Sequence, residues 1–563
     1  MKAWLNFLIF LATLLAGCKK GPDIAQVSYL APFMHLSNDS FGLVILSSIE
    51  GYVEPCGCTS DPLGGLAQFA TVYKGVKLAL GGRIALIDAG NLLFDSLSRN
   101  EADLCQDNGR LQLLLSTLKK LGMRTVFSGP LDNARGLRFR DDLYRTYDFS
   151  RLFPIGEMGP EQHAFTHVNI VRTKDYDIAI LGALMRNNSP IAELRQDIEE
   201  KAKQLASQKS IKAVVFLSQM DIEQTKLVFD GMTGVDLVIL GQSPTFSPKP
   251  PIKLGKTGPF LIEAGRQGQY FTVITLQELA KRSHEPLLLD TREFDRNERA
   301  SLLTSRVKAL SKQAASLTGD RLSFIEKRIA LAKQELVKLE QPTDMAPLTS
   351  PNVAFFAIPL TRKITPDPQV AKELLAYNKS VPLLVTQCEE NIQCPKAEKG
   401  QATYVGANSC KGCHAQAFSV WEKAVFIGKS LDQSGHAITR SIGHSKAWQT
   451  LVDDNKDKDR SCVGCHSVGF MEKGGFCKVS DVGFHKNVQC ESCHGPGSLH
   501  ATSGDKALIK GRVPEETCRS CHHVPHIESY DSFNYDEKLV RILGPGHGER
   551  LLKEITHKLN QSK

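Results

Sequence analysis

The chain has 563 residues, of which 42% are hydrophobic, and a formal net charge of +8. One hydrophobic core rarely serves a chain of this length, so we expect three or four domains. The positive charge is spread along the sequence, without a basic run or a basic patch interleaved with aromatic residues. We therefore exclude nucleic acid as a partner and expect a mildly basic soluble surface.

The N-terminal sequence has the features of an export signal. A Met-Lys start precedes an apolar run, residues 5–15, that is too short to span a bilayer as a stable helix. The run ends in Leu-Ala-Gly-Cys18, which resembles a bacterial lipobox. We expect residues 1–17 to be a lipoprotein signal peptide and residues 18–40 a tether, anchored in the membrane by lipid on Cys18. The alternative is an ordinary secretory signal followed by an incidental cysteine.

Residues 41–285 have the pattern of a layered α/β domain. Five short runs rich in Val, Ile and Leu are followed by turn residues, at Gly42–Leu46, Ile84–Ile87, Ala179–Leu181, Ala213–Leu217 and Leu237–Leu240. Helix-like stretches such as Leu111–Leu121 and Ile191–Gln208 lie between several of them. Strands that alternate with helices and are buried on both faces predict this architecture. The strand-like segment Phe260–Leu276 closes it.

Residues 295–342 are predicted to form a helical hairpin or short coiled coil. Apolar residues recur at steps of three and four from Leu303 to Leu317 and again from Ile325 to Leu339. The favoured role is a spacer or docking arm, with residues 300–340 as the segment for assembly with a partner.

Residues 350–400 are predicted to form a small α/β segment. The pattern predicts a strand over Val353–Ile358, a helix over Val370–Tyr377 and a second strand over Val381–Val385.

The last third of the chain contains four copies of the motif Cys-x-x-Cys-His. The cysteines are Cys410, Cys413, Cys462, Cys465, Cys490, Cys493, Cys518 and Cys521, and the histidines are His414, His466, His494 and His522. In c-type haem attachment two thiols bond the porphyrin, and the histidine is the proximal iron ligand. The alternative is that zinc knuckles or disulfides share this spacing by accident. Four copies of the motif in one region argue against that alternative. Residues 401–563 are therefore predicted to be a mostly helical and irregular domain with four covalently bound haem c groups.

Each low-spin iron needs a second axial ligand. Met471 is the only methionine after residue 400, so bis-histidine ligation, with its lower potential, is expected. The candidates are eight further histidines, His436, His444, His485, His500, His523, His526, His547 and His557. Because eight candidates are available for four irons, we expect every iron to have a second axial ligand and to be closed to other ligands.

Three segments of this region resemble one known family. They are the Tyr-Val-Gly that precedes Cys410, the segment His444–Leu451, and Cys490–His500, which reads CESCHGPGSLH. They resemble the tetrahaem cytochrome c family typified by the electron acceptor of hydroxylamine oxidation in nitrifying bacteria. The resemblance implies an electron-transfer domain over about residues 404–550 and makes His444, His500 and His547 distal ligands.

The sequence departs from the family pattern at one point. The family's tryptophan lies a few residues before the His-x-x-Ala element, whereas Trp421 is far from His444. His436 therefore competes with His444 as a distal ligand, or each serves a different haem. The family can also leave one haem five-coordinate, so an open iron is a second outcome.

The predicted α/β domain resembles a second family, the metallophosphoesterase domain of periplasmic 5'-nucleotidases. The resemblance rests on the strand pattern with Asp88–Asn91 and residues 236–244. That family binds two metals, which activate water and neutralise phosphate charge. Its ligand positions are replaced here by Ser48-Ile49-Glu50, Gly90-Asn91, Gly129-Pro130-Leu131-Asp132, Gln219 and Gly241-Gln242-Ser243-Pro244. Asp88 and Glu50 are the oxygen ligands that remain, so a dinuclear phosphatase site is not expected.

Six of the 15 cysteines remain once the lipid and haem positions are assigned. They are Cys56, Cys58, Cys105, Cys388, Cys394 and Cys477. Cys388 and Cys394 are a plausible local disulfide in an oxidising compartment. Cys56 and Cys58 lie where the lost metal ligands would converge. They form either a metal or redox site, with Cys105 as a third member, or a structural disulfide between one of them and Cys105.

Together these patterns predict an extracytoplasmic bacterial lipoprotein, periplasmic or on the outer membrane, that passes electrons between redox partner proteins. The phosphatase-like domain would dock, position or assemble it. The alternatives are a redox enzyme with one open haem, a metal-dependent phosphoesterase fused to a cytochrome, and a subunit of a larger electron conduit.

Overall fold

The structure is a computed structural model that describes residues 29–34, 36–37, 39–56, 62–152, 154–155, 165–166, 168–184, 190–282, 286–315, 317–340, 350–431, 437–523 and 533–561. The chain forms two compact units. The first comprises Met1–Pro55, Leu63–Ser98 and Leu114–Ala371, and the second comprises Cys56–Pro62, Arg99–Leu113 and Lys372–Lys563. Cys18 lies outside the described residues. Within the described part of the chain, none of the helices has the length and apolar character needed to cross a bilayer.

The strands are short and most of them lie before residue 360. They are β1 Phe41–Leu46, β2 Pro55–Cys56, β3 Leu63–Gly64, β4 Ile84–Asp88, β5 Thr125–Phe127, β6 Ser150–Leu152, β7 Pro154–Ile155, β8 Phe165–Thr166, β9 Asn169–Arg172, β10 Asp177–Ala183, β11 Ile211–Ser218, β12 Leu237–Leu240, β13 Lys249–Lys253, β14 Phe260–Glu263, β15 Tyr270–Gln277, β16 Leu288–Asp290, β17 Asn352–Pro359, β18 Phe426–Leu431 and β19 Ala437–Ile442.

The helices are long in the first unit and short near the haem motifs. They are α1 Ala31–Met34, α2 Leu66–Ala79, α3 Leu104–Leu121, α4 Leu137–Thr146, α5 Ile191–Ala206, α6 Ile222–Phe229, α7 Arg292–Ala314, α8 Gly319–Glu340, α9 Pro368–Glu389, α10 Ala407–Lys411, α11 Ala415–Lys423, α12 Ala447–Asp453, α13 Arg460–His466, α14 Cys490–His494, α15 Ser498–Ser503, α16 Glu515–Arg519, α17 Tyr535–Leu539 and α18 Glu549–Gln561.

The first unit is built on two sheets that share one core. One sheet has the order β16-β17-β15-β1-β4, and the other has the order β13-β14-β12-β11-β10-β7, with β9 paired to β10. Side chains from both sheets, such as Leu43, Ile45, Val215 and Ile239, meet in one buried cluster. The helices α5 and α6 cover the other face of the second sheet. The predicted layered α/β architecture is therefore confirmed.

The strand runs predicted from the sequence correspond to β1, β4, β10, β11 and β12. Their residues are almost entirely buried, which is why continuous apolar runs rather than alternating ones marked them. The strand β10 is parallel to β11, and β11 is parallel to β12, as short helical connections require.

The segment predicted as a small α/β unit is divided differently in the structure. The strand β17 pairs along its whole length with β15 and lies inside the first sheet. The second predicted strand, Val381–Val385, is wrong, because it forms part of α9. Tyr377, Val381 and Val385 are all buried and recur every four residues, so one face of a helix accounts for the apolar residues.

The helices α7 and α8 form an antiparallel hairpin at the predicted position. Leu303 and Leu310 of α7 and Ile325 and Ala332 of α8 are buried along the seam between the two helices. At the base of the hairpin, Phe294 contacts Phe355 of β17 with ring centres 5.1 Å apart.

The second unit contains two disulfides, and neither was predicted from the sequence. Cys105 is bonded to Cys388, and Cys394 is bonded to Cys477. The predicted Cys388–Cys394 pair is wrong, as are the interpretations that joined Cys105 to Cys56 or Cys58. Proximity in sequence misled the prediction, because one bond closes a separation of 283 residues and the other a separation of 83.

Candidate haem-binding site

Short helices present the four Cys-x-x-Cys-His motifs. The helices α10, α13, α14 and α16 each contain the first cysteine of one motif, and the motif histidine lies at the helix end or just after it. Cysteines three residues apart on a helical turn face the same side. Each motif therefore offers two thiols and one imidazole in the same direction.

Three motif histidines each face a second histidine. The ring centres of His414 and His500 are 6.1 Å apart. Those of His522 and His444 are 6.2 Å apart, as are those of His494 and His547. A metal–imidazole bond is about 2.0–2.1 Å, so two imidazoles bound to opposite sides of one ion have ring centres about 6 Å apart. The residues present thus fit three bis-histidine irons.

Backbone carbonyls fix the orientation of several of these rings. The Nδ1 atom of His494 donates to Lys510 O at 2.6 Å, that of His500 to Asp505 O at 2.9 Å, and that of His547 to Ile542 O at 2.6 Å. A hydrogen bond from Nδ1 leaves Nε2 as the metal ligand and sets the plane of the ring. These contacts therefore hold the imidazoles in an orientation that lets Nε2 act as an axial ligand.

Burial keeps the ring of His444 neutral. Burial, with a smaller contribution from His522, lowers the pKa of His444 to about 4. Metal binding requires the neutral imidazole, so this ring needs no proton loss at neutral pH.

The fourth motif histidine, His466, is placed differently. Its Nδ1 atom donates to Ala447 O at 2.6 Å, and burial lowers its pKa. Within the described ranges no histidine ring faces His466 in the manner of the other three pairs. His436 and His526 lie outside these ranges. His444 faces His522, and the competition between His436 and His444 as a distal ligand stays a prediction.

Two other candidate histidines do not face a motif histidine. His485 is buried, donates from Nδ1 to Val468 O at 2.9 Å, and stacks on Phe484 with ring centres 4.1 Å apart. His557 lies on the exposed terminal helix α18, where Nε2 contacts Gln561.

The attachment thiols approach one another in a defined order. The thiols of Cys410 and Cys490 share a hydrogen bond, which raises the pKa of Cys410 and lowers that of Cys490. A hydrogen bond with Cys465 is the main cause that lowers the pKa of Cys521 to about 6. Burial, followed by the nearby Cys518 and Cys521, raises the pKa of Cys493 to about 11. The motifs therefore neighbour one another in the order first, third, fourth and second.

A buried arginine supports the second motif, and sequence reasoning missed it. The Arg460 side chain is 2% exposed, and its Nε atom donates to Asp103 Oδ1 at 2.8 Å. Its other donors reach Glu389 and the carbonyl of Cys477. The arginine begins the helix that carries Cys462. It thus ties this helix to both disulfide-bonded segments.

Glu491, inside the third motif, is a second such residue. Its carboxylate is buried and accepts hydrogen bonds from the backbone of Val405, Gly406 and Gly497 at 2.7–3.1 Å. It joins the segment before the first motif to the third motif. The CESCHGPGSLH stretch contained this signal, but a bare spacing rule uses only its cysteines and histidine.

In the first unit, the side chains at the positions compared with metal ligands in the sequence analysis make internal contacts. Glu50 is buried and accepts from Arg266 Nε at 3.1 Å and Gln267 Nε2 at 3.0 Å. Asp88 is buried and accepts from the backbone of Gly90 and Phe127, both at 3.0 Å. Among the described residues, no group of three or more His, Cys, Asp or Glu side chains is placed to hold a metal.

The remaining replaced positions are also engaged. Asp132 accepts from the backbone of Asn91, Leu93 and Gly129 at 2.8–3.1 Å. Gln219 Nε2 donates to Ala89 O. Cys58 lies outside the described residues, so the predicted Cys56/Cys58 site stays a prediction, now without Cys105.

Solved structures similar to this chain include several phosphoesterases. A 5'-nucleotidase precursor from Thermus thermophilus has 13% identity and a TM-score of 0.41, with 74% of each chain covered. The calcineurin-like phosphoesterase YfkN from Bacillus subtilis has 11% identity and a TM-score of 0.39, with 62% of this chain and 99% of that chain covered. At these scores the likeness carries no inference about activity.

The C-terminal region matches known cytochromes in sequence. Residues 409–495 match the family model described as cytochrome c554 and c-prime. Cytochrome c-554 of Nitrosomonas europaea is 25% identical over 176 residues, which cover 25% of this chain and 74% of that protein. The resemblance inferred from the motifs is confirmed, and the C-terminal region of this chain is similar to cytochrome c554.

Proposed function

We propose that the protein is an extracytoplasmic electron carrier that holds four haem c groups and passes electrons between redox partner proteins. The observation that carries this proposal is the set of three histidine pairs with ring centres 6.1–6.2 Å apart. When bound, haem supplies one-electron chemistry at its iron. The protein attaches the group through the motif thiols and orients both axial imidazoles.

The order of the attachment thiols supports a continuous electron path. Hydrogen bonds join Cys410 to Cys490 and Cys521 to Cys465, and Cys518 lies near enough to Cys493 to act on it electrostatically. Groups attached to neighbouring thiols lie close together, so the path runs from the first motif through the third and fourth to the second. Three facing pairs would close three of the irons, which suits electron transfer rather than substrate chemistry.

The α/β domain is proposed to dock or position the cytochrome region rather than hydrolyse phosphoesters. The Glu50 carboxylate is neutralised by Arg266, and Asp88 is held by two backbone N–H groups. Two-metal hydrolysis requires carboxylates and imidazoles that are free to bind cations. The membrane anchor at Cys18 belongs to the same proposal and rests on the lipobox alone.

A redox enzyme with one open haem is the second candidate, and one observation favours it. Of the four motif histidines, His466 alone lacks a facing histidine among the described residues. An iron on His466 with no second ligand would be open to small molecules.

Optical and EPR spectra of the purified protein, with haem quantified per chain, test both candidates. We expect four haems per chain, with at least three low-spin. If cyanide and nitric oxide leave all four spectra unchanged, the chain is a carrier. A high-spin fraction of about one haem in four that binds these ligands would instead support the enzyme. Fewer than three low-spin haems would contradict the proposed ligand pairs.

A further inference from the structure

The helical hairpin α7/α8 has apolar residues outside its own seam. Leu302, Phe324 and Leu331 are 66%, 61% and 66% exposed. Each is the sequence neighbour of a buried residue, respectively Leu303, Ile325 and Ala332. Single exposed apolar residues are ordinary, but exposed apolar residues that lie together form a patch of the kind that binds a partner.

The three exposed residues lie on one flank of the hairpin. Arg299 Nε donates to Glu335 Oε1 at 2.6 Å, which fixes the register of the two helices. Leu302 is one turn after Arg299, and Leu331 is one turn before Glu335. Phe324 is two turns before Leu331. Residues three, four and seven apart share one side of a helix, so all three face the same way.

Arginines separate these apolar residues. Arg306 follows Leu302 by one turn, and Arg328 lies between Phe324 and Leu331. The guanidinium carbon of Arg328 is 5.7 Å from the centre of the Phe324 ring. We call Leu302, Arg306, Phe324, Arg328 and Leu331 the 302–331 flank.

The part of the hairpin around its turn, residues 302–333, has a net positive charge. Residues 302–333 contain seven basic side chains, Arg306, Lys308, Lys312, Arg321, Lys327, Arg328 and Lys333, against two acidic ones, Asp320 and Glu326. The net charge of +5 compares with +8 for all 563 residues.

The charge and shape decide among the partners that this flank could bind. A second hairpin of the same charge would be repelled. A protein partner needs about 800 Å² on each side and a pocket for its anchor residues, and two packed helices present a narrow, convex surface. An anionic bilayer attracts arginine and lysine, accepts leucine and phenylalanine at its interface, and needs no matching shape.

We propose that the 302–331 flank binds the surface of an anionic phospholipid bilayer. The arginines contact lipid phosphates, and the three apolar side chains enter the boundary between headgroups and acyl chains. Because Phe294 at the base of the hairpin packs on Phe355, binding would orient the first unit against the membrane. The proposal is independent of haem content and of lipid on Cys18.

Vesicle flotation tests this proposal with the full, haem-loaded chain in which Cys18→Ser prevents lipidation. Parent protein is expected to float with vesicles of phosphatidylcholine and phosphatidylglycerol at low salt. It should not float with phosphatidylcholine alone or at high salt. Both Arg306→Glu/Arg328→Glu and Leu302→Ser/Leu331→Ser should weaken binding about tenfold or more.

Two matched controls separate the flank from general surface effects. Lys209→Glu/Lys256→Glu reverses two exposed charges elsewhere in the same unit, and Leu227→Ser removes a leucine that is 61% exposed. Both should bind as the parent does. Failure of the parent to bind anionic vesicles, equal losses in the controls, or a dimer that depends on Leu302 and Leu331 would each overturn the proposal. The salt dependence of the parent tests it even if a variant does not fold.

Discussion

Arg460 donates from Nε to Oδ1 of Asp103 at 2.8 Å, across 357 positions of sequence. The same guanidinium pairs with Glu389, whose carboxylate also accepts from the backbone of Val479 at 2.9 Å. Three segments distant in sequence thereby converge on the helix that carries the Cys462 motif. A buried ion pair of this kind makes its partners depend on one another.

Replacing Arg460 should therefore destabilise the haem-binding unit strongly. Arg460→Gln leaves Asp103 and Glu389 without their cation, and breaking such a pair costs about 3–5 kcal/mol. Urea unfolding followed at the Soret band measures the free energy of unfolding. The control is Lys473→Ala, which removes an exposed pair with Glu398 and should cost about 1 kcal/mol or less. Equal losses in the two variants would show that the Arg460 network does not stabilise this unit.

Replacing a distal histidine should open one iron. His444→Ala, His500→Ala and His547→Ala each remove one ring of a facing pair. EPR and optical spectra should show one low-spin haem converted to a high-spin form in each variant. His557→Ala, on the exposed helix α18, is the control and should leave the spectra unchanged. Three variants with parental spectra would refute these ligand assignments.

The stability of the α/β domain should fall as the pH rises. Burial raises the pKa of Asp132 from 3.8 to about 6, against the backbone hydrogen bonds that lower it. The folded state then binds the proton more tightly than the unfolded state. This contribution is fully present below about pH 4 and is lost as the pH rises through about 6, and it amounts to about 3 kcal/mol. Burial raises the pKa of Asp88 in the same direction.

Hydrogen exchange of peptides from β10 and β11, corrected for intrinsic rates, measures this pH dependence. Asp132→Asn cannot titrate and should flatten the profile between pH 4 and 6. Asp142→Asn, an exposed carboxylate on α4, should keep it. A parent domain that becomes more stable from pH 4 to 7 would contradict the predicted direction.

The disulfides should be found by peptide mapping under non-reducing conditions. We expect linked peptides that contain Cys105 with Cys388 and Cys394 with Cys477. Removal of the second bond by Cys394→Ser/Cys477→Ser frees a loop of 83 residues and should cost about 4 kcal/mol of unfolding free energy. A peptide that links Cys388 to Cys394 would restore the local pairing and reject the observed one.

The sequence predicted those features that local patterns carry. Buried strands such as β10 and β11 were visible because most residues along them are apolar, and the haem motifs were visible because attachment needs a fixed spacing. The partners of His500 and His547 could be proposed only by resemblance. Their pairing depends on the geometry of loops, which a periodic sequence pattern does not predict.

Long-range contacts explain what the sequence did not predict. Arg460 acts through Asp103 and Glu389, which are far away in the chain, so nothing in its sequence neighbourhood marks it. The strand predicted over Val381–Val385 was wrong for another reason. Two β-branched residues around Pro382 favour a strand locally, but the buried face from Tyr377 to Val385 stabilises a helix.

The protein should not hydrolyse phosphomonoesters when Mn²⁺ or Zn²⁺ is added. A metal at Glu50 would have to displace Arg266 and Gln267, and a metal at Asp88 would have to displace the Gly90 and Phe127 amides. Because the raised pKa of Asp88 also favours its protonated form, this carboxylate is a poor cation ligand in the fold. The assay compares the full chain with Asp88→Asn on a chromogenic phosphomonoester, with and without each metal. Metal-dependent turnover that disappears in Asp88→Asn would assign a working hydrolase site to this domain and reject a purely docking role.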